Sequence, residues 1–263
     1  MQNLLKDKVI VITGGTKGVG RAAAIAAGAE GAKVVIAGRD AAAAEEIIGV
    51  IRTEGKGDAM FVRTDVSKAA ECEHLMERAY AAYGKIDGLV NYAGILPVAS
   101  ILDTTEELYE SIMDTNAKSA FFCAKYALRY MKPARSGSII NMGSLHAYGG
   151  EEDRAAYAVS KGAMRTLMLH IAKNYAKYHI RCNWITIGWI ATPGELALRE
   201  CKGGMEWINR IGSQVFPMGK IQTFEDNVAG ILYLLSDYAE QVSGTELYIT
   251  GGLMDASFQS EAE

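Results

Sequence analysis

Tyr157 and Lys161 stand four residues apart in the run Tyr-Ala-Val-Ser-Lys, a spacing that sets both side chains on one face of a helix. A phenol beside an ammonium is suited to proton transfer. Its ordinary pKa is about 10, so substantial ionisation near neutral pH requires a fall of about three units, or roughly 4 kcal/mol. One cation at about 4 Å in an effective dielectric near 20 supplies a similar amount. Desolvation works the other way, so Lys161 alone falls short and a further positive charge, brought by a bound cofactor, has to help. Ser144 follows a short apolar run, Ser138–Asn141, where a hydroxyl can bond a substrate oxygen as negative charge develops on it. Asn116 interrupts an otherwise mostly apolar helical stretch.

A second group lies near the start, in Thr13-Gly14-Gly15-Thr16-Lys17-Gly18-Val19-Gly20, between the apolar run Val9–Ile12 and an Ala-rich segment. Glycines at a strand-to-helix junction permit positive φ and let backbone N–H groups approach a pyrophosphate at the positive end of the helix dipole. The spacing is Gly-x-x-x-Gly-x-Gly rather than the common G-x-G-x-x-G. At the end of the second apolar run, where NAD-preferring sites usually place a carboxylate for the adenosine ribose, stand Gly38 and Arg39. A 2′-phosphate repels a carboxylate and attracts a guanidinium, and Lys17 adds a second positive charge. Contacts of roughly 1.5–3 kcal/mol favour NADP(H) about ten- to a hundredfold, with NAD(H) still usable. Asp40 would weaken that preference if it turned inward to the ribose.

The Thr-Gly-x-x-x-Gly-x-Gly turn, Asn91-Tyr92-Ala93-Gly94 and the set Asn116, Ser144, Tyr157 and Lys161 resemble three features of the short-chain dehydrogenase/reductase family. These are its glycine turn, its Asn-Asn-Ala-Gly motif and its Asn, Ser, Tyr and Lys tetrad, and the match spans nearly the whole chain. The resemblance implies an NADP(H)-dependent enzyme interconverting a ketone or other carbonyl and a secondary alcohol. Tyr157 would donate or accept the proton. Lys161 would lower its pKa and hold the nicotinamide ribose, Ser144 would orient the substrate, and Asn116 would anchor a water feeding protons to Lys161. Cofactor contacts are implied for Gly14, Thr16, Lys17, Gly18, Val19, Gly20, Arg39, Asn91, Ala93 and Gly94. Asp65 would meet the adenine amino group, Val66 would contribute its main chain, and Ile190 and Thr192 would hold the carboxamide. Two departures stand out: Tyr92 replaces the second Asn of the motif, and Ile187-Gly188 replaces the usual Pro-Gly, restoring a backbone N–H.

Positioning these groups requires alternating elements. Short β-branched runs at Val9–Ile12, Lys33–Ala37, Ala59–Val62, Gly88–Val90, Ser138–Asn141, Ile180–Ile185 and Leu247–Ile249 alternate with helical candidates. The helices are expected near Gly20–Glu30, Ala41–Glu54, Lys68–Tyr83, Glu106–Met131, Ala155–Tyr178 and Phe224–Ser236. That alternation predicts an α/β fold with a Rossmann-type, doubly wound parallel seven-stranded sheet in a three-layer αβα sandwich. One domain over 1–263 is expected. Residues Gly188–Met218, with Pro193, a Gly203-Gly204 pair and two tryptophans, break the rhythm and suit a substrate lid.

Composition excludes several classes. A net charge of −4 without a long basic run argues against nucleic acid. The apolar run at the start is too short for a secretory segment, and no stretch approaches the roughly 18 apolar residues of a membrane span, so a cytoplasmic protein is expected. Cys72, Cys123, Cys182 and Cys201 form no CxxC pair, which argues against a metal site or disulfide framework. Tyr92, Leu96, His146, Tyr148, Trp189 and Trp207 are candidates to line a pocket for a small-molecule ring ketone, sugar or polyol derivative, or aromatic carbonyl. Two alternatives are a 3-oxoacyl-carrier-protein reductase, docking through Arg129, Lys132 and Arg135, and a non-catalytic NADP(H) sensor. The family resemblance also implies a homotetramer assembled through helices 106–131 and 155–178 and the edge near Thr245–Gly252.

Overall fold

The structure, a computed structural model, describes residues 3–54, 56–192, 196–197 and 200–254. Seven parallel strands form one sheet in the order β3-β2-β1-β4-β5-β6-β7. They are β1 (Val9–Thr13), β2 (Lys33–Gly38), β3 (Asp58–Arg63), β4 (Gly88–Asn91), β5 (Gly137–Met142), β6 (Ile180–Ile187) and β7 (Glu246–Ile249). All five residues of β1 are buried, as a strand covered by helices on both faces requires. One face packs on α3 (Ala69–Tyr83), α5 (Ser119–Ala134) and α6 (Ala155–Tyr175), the other on α1 (Gly18–Ala29), α2 (Ala41–Glu54) and α8 (Val228–Leu235). The doubly wound sandwich expected from the sequence is therefore the fold.

The sequence predicts one helix over Glu106–Met131. The structure instead has α4 (Glu106–Met113), a π-helical turn at Asp114–Lys118, and α5. Asn116 explains the widening. Its amide bonds both backbone groups of Ile95, and Ser119 Oγ donates to the carbonyls of Thr115 at 2.6 Å and Asn116 at 3.1 Å. Helices admit such turns where side chains take over backbone partners. Strand β6 runs two residues past its predicted end because Ile187, unlike a proline, can continue the ladder opposite Ile249.

A helix that periodicity did not single out, α7 (Gly204–Val215), lies within the segment expected to form a lid. Trp207, Ile208 and Ile211 pack with Leu145, Trp189, Phe216 and Leu253 as a small separate core. Pro193 lies outside the described residues, as does the side chain of Cys201. Cys72, Cys123 and Cys182 are buried free thiols.

At the end of β5, Gly143 precedes Ser144, and a Cβ there would lie 2.0 Å from the indole of fully buried Trp184. Gly143→Ala is expected to destabilise by about 3 kcal/mol, lowering the melting temperature by roughly 6–12 °C. An unchanged melting curve would show that Trp184 yields without cost.

Candidate active site

Strand β1 pairs with β2 on one side and β4 on the other, so successive connections leave the sheet in opposite directions and open a crevice at the carboxyl ends. The glycine turn forms one lip. Gly14 and Gly18 have φ of +67° and +55°, and a Cβ on Gly20 would stand 2.4 Å from the Gly14 carbonyl oxygen. Lys17, the N-cap of α1, makes no side-chain capping bond, and the first turn carries no acid. The N–H groups at the start of α1 thus meet the requirements of an anion site. Thr13 Oγ1 accepts from the Tyr92 and Ala93 N–H groups, each at 3.2 Å, tying the other lip to β1.

At the end of β2, Thr16 fills the space a side chain on Gly38 would need, its Oγ1 3.2 Å from an added Cβ. Arg39 is exposed. Asp40 Oδ1 accepts from the Ala43 N–H at 3.2 Å at the start of α2, and its other oxygen is 3.4 Å from Lys17 Nζ. The Ala43 N–H, and then Lys17, hold its carboxyl below the usual range against desolvation. Asp65 is lowered mainly by Ser67, whose Oγ and N–H donate at 2.8 and 3.2 Å. Lys68 and Arg39 add to that lowering. The Val66 carbonyl accepts from Cys72 Sγ at 3.3 Å.

Ser144, Tyr157 and Lys161 come together beside this crevice. Ser144 is 9% exposed and Lys161 4%. Lys161 Nζ donates to the Met142 carbonyl at 2.9 Å and sits 5.6 Å from the Tyr157 ring centre. Burial lowers the Lys161 pKa from 10.5 to about 8. Burial also pushes Tyr157 up to about 12, against an opposing hydrogen bond with Ser144 and the charge of Arg154. For the polypeptide by itself, desolvation outweighs the groups that pull the phenol down. Among the described residues no cluster of His, Cys, Asp and Glu could hold a metal ion.

Residues 14–254 match the family model described as enoyl-(acyl carrier protein) reductase. An L-rhamnose 1-dehydrogenase (NAD(P)(+)) of Azotobacter vinelandii is 37% identical over 255 residues, covering 95% of this chain and 98% of its own. An NADP-dependent (R)-specific alcohol dehydrogenase of Lentilactobacillus kefiri is 34% identical over 256 residues, covering 96% and 98%. A solved structure of a short chain dehydrogenase/reductase family protein superposes with a TM-score of 0.82 at 30% identity, over 95% of this chain and 98% of that one. The chain belongs to the short-chain dehydrogenase/reductase family. It is an oxidoreductase of the alcohol and carbonyl class, and its relatives use NAD(P) nucleotides.

Within this short-chain dehydrogenase/reductase, several expected residues take other roles. The Asn91 amide donates to Asn141 Oδ1 at 2.9 Å inside the sheet, and Asn141 donates to the Met164 carbonyl at 3.0 Å. The Asn91 Nδ2 is thus engaged inside the sheet, while its buried Oδ1 has no partner among the described residues. Asn116 Oδ1 accepts from the Ile95 N–H at 2.8 Å, and its amide donates to the Ile95 carbonyl and Ser160 Oγ, each at 3.0 Å. One amide proton fixes the loop after β4 and the other reaches Ser160 in α6, so the Asn116 side chain has no N–H left to give a water. Ala93 and Gly94 follow in that loop, and a Cβ on Gly94 would come within 3.1 Å of Asn116 Oδ1.

His146 stacks edgewise on Tyr157 at 5.7 Å between ring centres. Its main-chain N–H donates to Ser144 Oγ at 3.3 Å. Burial, followed by the charge of Arg154, lowers its pKa to about 4, so the ring is neutral near pH 7. Trp189 stacks on Phe216 and meets Trp207 edgewise, which places it in the small separate core around α7. Tyr148 turns away: its hydroxyl donates to Glu246 at 2.5 Å and its ring stacks on Tyr248. Ile190 bridges to Gln222, and the Thr192 N–H donates to the Ile190 carbonyl at 2.8 Å.

Two residues went unnoticed in the sequence. Arg154 is 6% exposed, pairs with Asp153 at 2.9 Å, and acts electrostatically on both His146 and Tyr157. Its place three residues before Tyr157, at the N-cap of α6, was the available signal. Gln222 accepts from the Gly188 N–H at 2.8 Å and donates to the Ile249 carbonyl at 2.9 Å, fixing the chain where Pro-Gly would otherwise stand. No local pattern marks it.

Proposed function

We propose that residues 1–263 form one NADP(H)-preferring oxidoreductase domain that reduces a ketone, or oxidises the corresponding secondary alcohol, with 188–218 as its substrate lid. The observation that carries this reading is the convergence of Ser144, Tyr157 and Lys161 beside the glycine turn at the carboxyl end of the sheet. Nicotinamide, when bound, supplies the hydride and, in its oxidised form, a positive charge. Tyr157 protonates the carbonyl oxygen in reduction and takes the proton back in oxidation, while Ser144 orients that oxygen. Lys161, anchored on Met142, holds the ribose with its remaining N–H donors. Gly14, Thr16, Gly18, Val19 and Gly20 cradle the phosphates. Asp65 and Val66 meet the adenine, and Ile190 and Thr192 meet the carboxamide.

NADP(H) preference is supported by the Thr16 side chain filling the space beside Gly38, by exposed Arg39, and by Asp40 being engaged with α2 and Lys17. Arg39→Ala is expected to raise the Michaelis constant for NADPH about ten- to a hundredfold and that for NADH hardly at all. Equal changes for the two would refute the preference.

Neutral His146 offers a hydrogen bond beside Tyr157, and Trp189 and Leu145 offer an apolar wall. This mixture suits a ring ketone or a sugar or polyol carbonyl, and dehydrogenases of L-rhamnose and cyclopentanol stand among the relatives. The carrier-protein alternative has less support. Arg129 pairs with Glu73, Arg135 bonds the Lys177 carbonyl, Lys132 lies over the Tyr178 ring, and α5 ends just before β5, at the amino ends of the strands, away from the crevice. A homotetramer is the assembly this reading carries, supported by exposed Tyr109, Phe121, Val159 and Leu169 on α4, α5 and α6. No described helix is long and apolar enough to cross a membrane, and a cytoplasmic site of action is part of the proposal.

A further inference from the structure

Tyr92 stands where the family motif has its second Asn, and its ring lies on the glycine turn. A Cβ on Gly14 would be 3.2 Å from Tyr92 Cδ1, one on Gly20 would be 2.7 Å from the same atom, and one on Gly18 would be 2.7 Å from the hydroxyl. The absence of side chains on Gly14, Gly18 and Gly20 therefore admits this phenol. The ring packs among the partly buried residues of the core beneath α1, with Ile187 and Phe224 in the same cluster. We propose that Tyr92 is a pyrophosphate-binding residue, its hydroxyl extending the row of N–H donors at the start of α1 by one O–H.

The chemistry follows from the donor and acceptor count. The Tyr92 hydroxyl lies beside Gly18, where the first N–H groups of α1 have no intrahelical acceptor. The phenol adds one proton of its own to that set of donors. Burial raises the Tyr92 pKa above the ordinary value, so that proton is retained at neutral pH. The first turn of α1 has no acid to receive it. The acceptor that suits a phenol O–H, a line of N–H groups and a helix dipole together is an anionic phosphate oxygen. The family motif's Asn is too short to reach over the turn in this way.

This inference rests on the reading that the chain binds a nicotinamide dinucleotide, and the test separates the two. Tyr92→Phe removes only the oxygen and keeps the ring on Gly14 and Gly20. Dissociation constants measured by calorimetry should rise about tenfold for NADPH and for NADH alike, because both carry the pyrophosphate. Adenosine 2′-monophosphate, which lacks it, should bind wild type and variant equally. Unchanged or tighter NADPH binding by Tyr92→Phe would overturn the inference, as would a parallel loss for adenosine 2′-monophosphate, since that marks a distorted turn. Failure of the wild type to bind either dinucleotide would instead defeat the underlying reading.

Discussion

Tyr157→Phe is expected to lower kcat for ketone reduction about 10³-fold while leaving NADPH binding within about twofold of wild type. The variant keeps the ring that packs edgewise on His146 and removes only the group that can hand over a proton. Stopped-flow hydride transfer with a panel of ketones, alongside calorimetric NADPH titration, checks both halves. Retained turnover would remove Tyr157 from the chemistry. Tight NADPH binding by the wild type without turnover of any substrate would favour a sensor over an enzyme.

Lys161→Met is expected to lower kcat/KM at least about 10²-fold and at the same time to stabilise the protein. Lys161 is fully enclosed, and its pKa has fallen from 10.5 to about 8. Between those values the unfolded chain binds more protons than the folded one. Stability therefore rises with pH across that window, and the full cost of burying the ammonium is borne below pH 8. Tyr157 works oppositely above pH 10, where an unfolded phenol ionises and the buried one, at about 12, does not. Between about pH 8 and 10 Lys161 pushes the slope up, while the buried thiols of Cys182 and Cys123, raised above their ordinary 9.0, push it down from about pH 9. Replacing Lys161 should therefore make the slope less positive than in the wild type and add on the order of 1–3 kcal/mol at pH 7, after allowing for the lost bond to the Met142 carbonyl. Denaturant titrations at several pH values read this directly. A variant that is less stable at pH 7, with the slope unchanged, would show that the ammonium is not held at a cost. Such an opposition between stability and activity is what a buried catalytic cation entails.

The layers of the fold were legible because they depend on local pattern. Runs such as Val9–Ile12 and Val34–Ala37 are apolar on both faces, and only a sheet covered on both sides uses them. The proximity of Ser144, Tyr157 and Lys161 was legible too, since Tyr157 and Lys161 share a helical face and Ser144 follows a strand. What escaped depends on partners distant in sequence. The π turn at Asp114–Lys118 exists because Asn116 bonds Ile95 and Ser160, neither of which a helical period reveals. The Asn91 amide donates to Asn141, fifty positions on, a pairing no local pattern reveals. Tyr148 looked like a pocket residue until Glu246 and Tyr248, on the last strand, took its hydroxyl and ring. Helix α7 was hidden by the Gly203-Gly204 pair before it, although Trp207, Ile208 and Ile211 carry the apolar stripe of a helix. The balance at Tyr157 was legible in sign, since burial was set against a nearby cation from the start, but Arg154 as a further charge beside the phenol was not.

The phenol itself offers the most direct test. Tyrosinate formation can be followed by ultraviolet titration, taken as the difference between wild type and Tyr157→Phe, first without and then with saturating NADP+. The protein alone should show this phenol ionising well above its ordinary value of 10, and bound NADP+ should bring it down by about two units or more. Identical titrations in the two states, or a phenol already ionised near neutral pH without NADP+, would contradict a proton-transfer residue held protonated by burial until the cofactor's charge arrives.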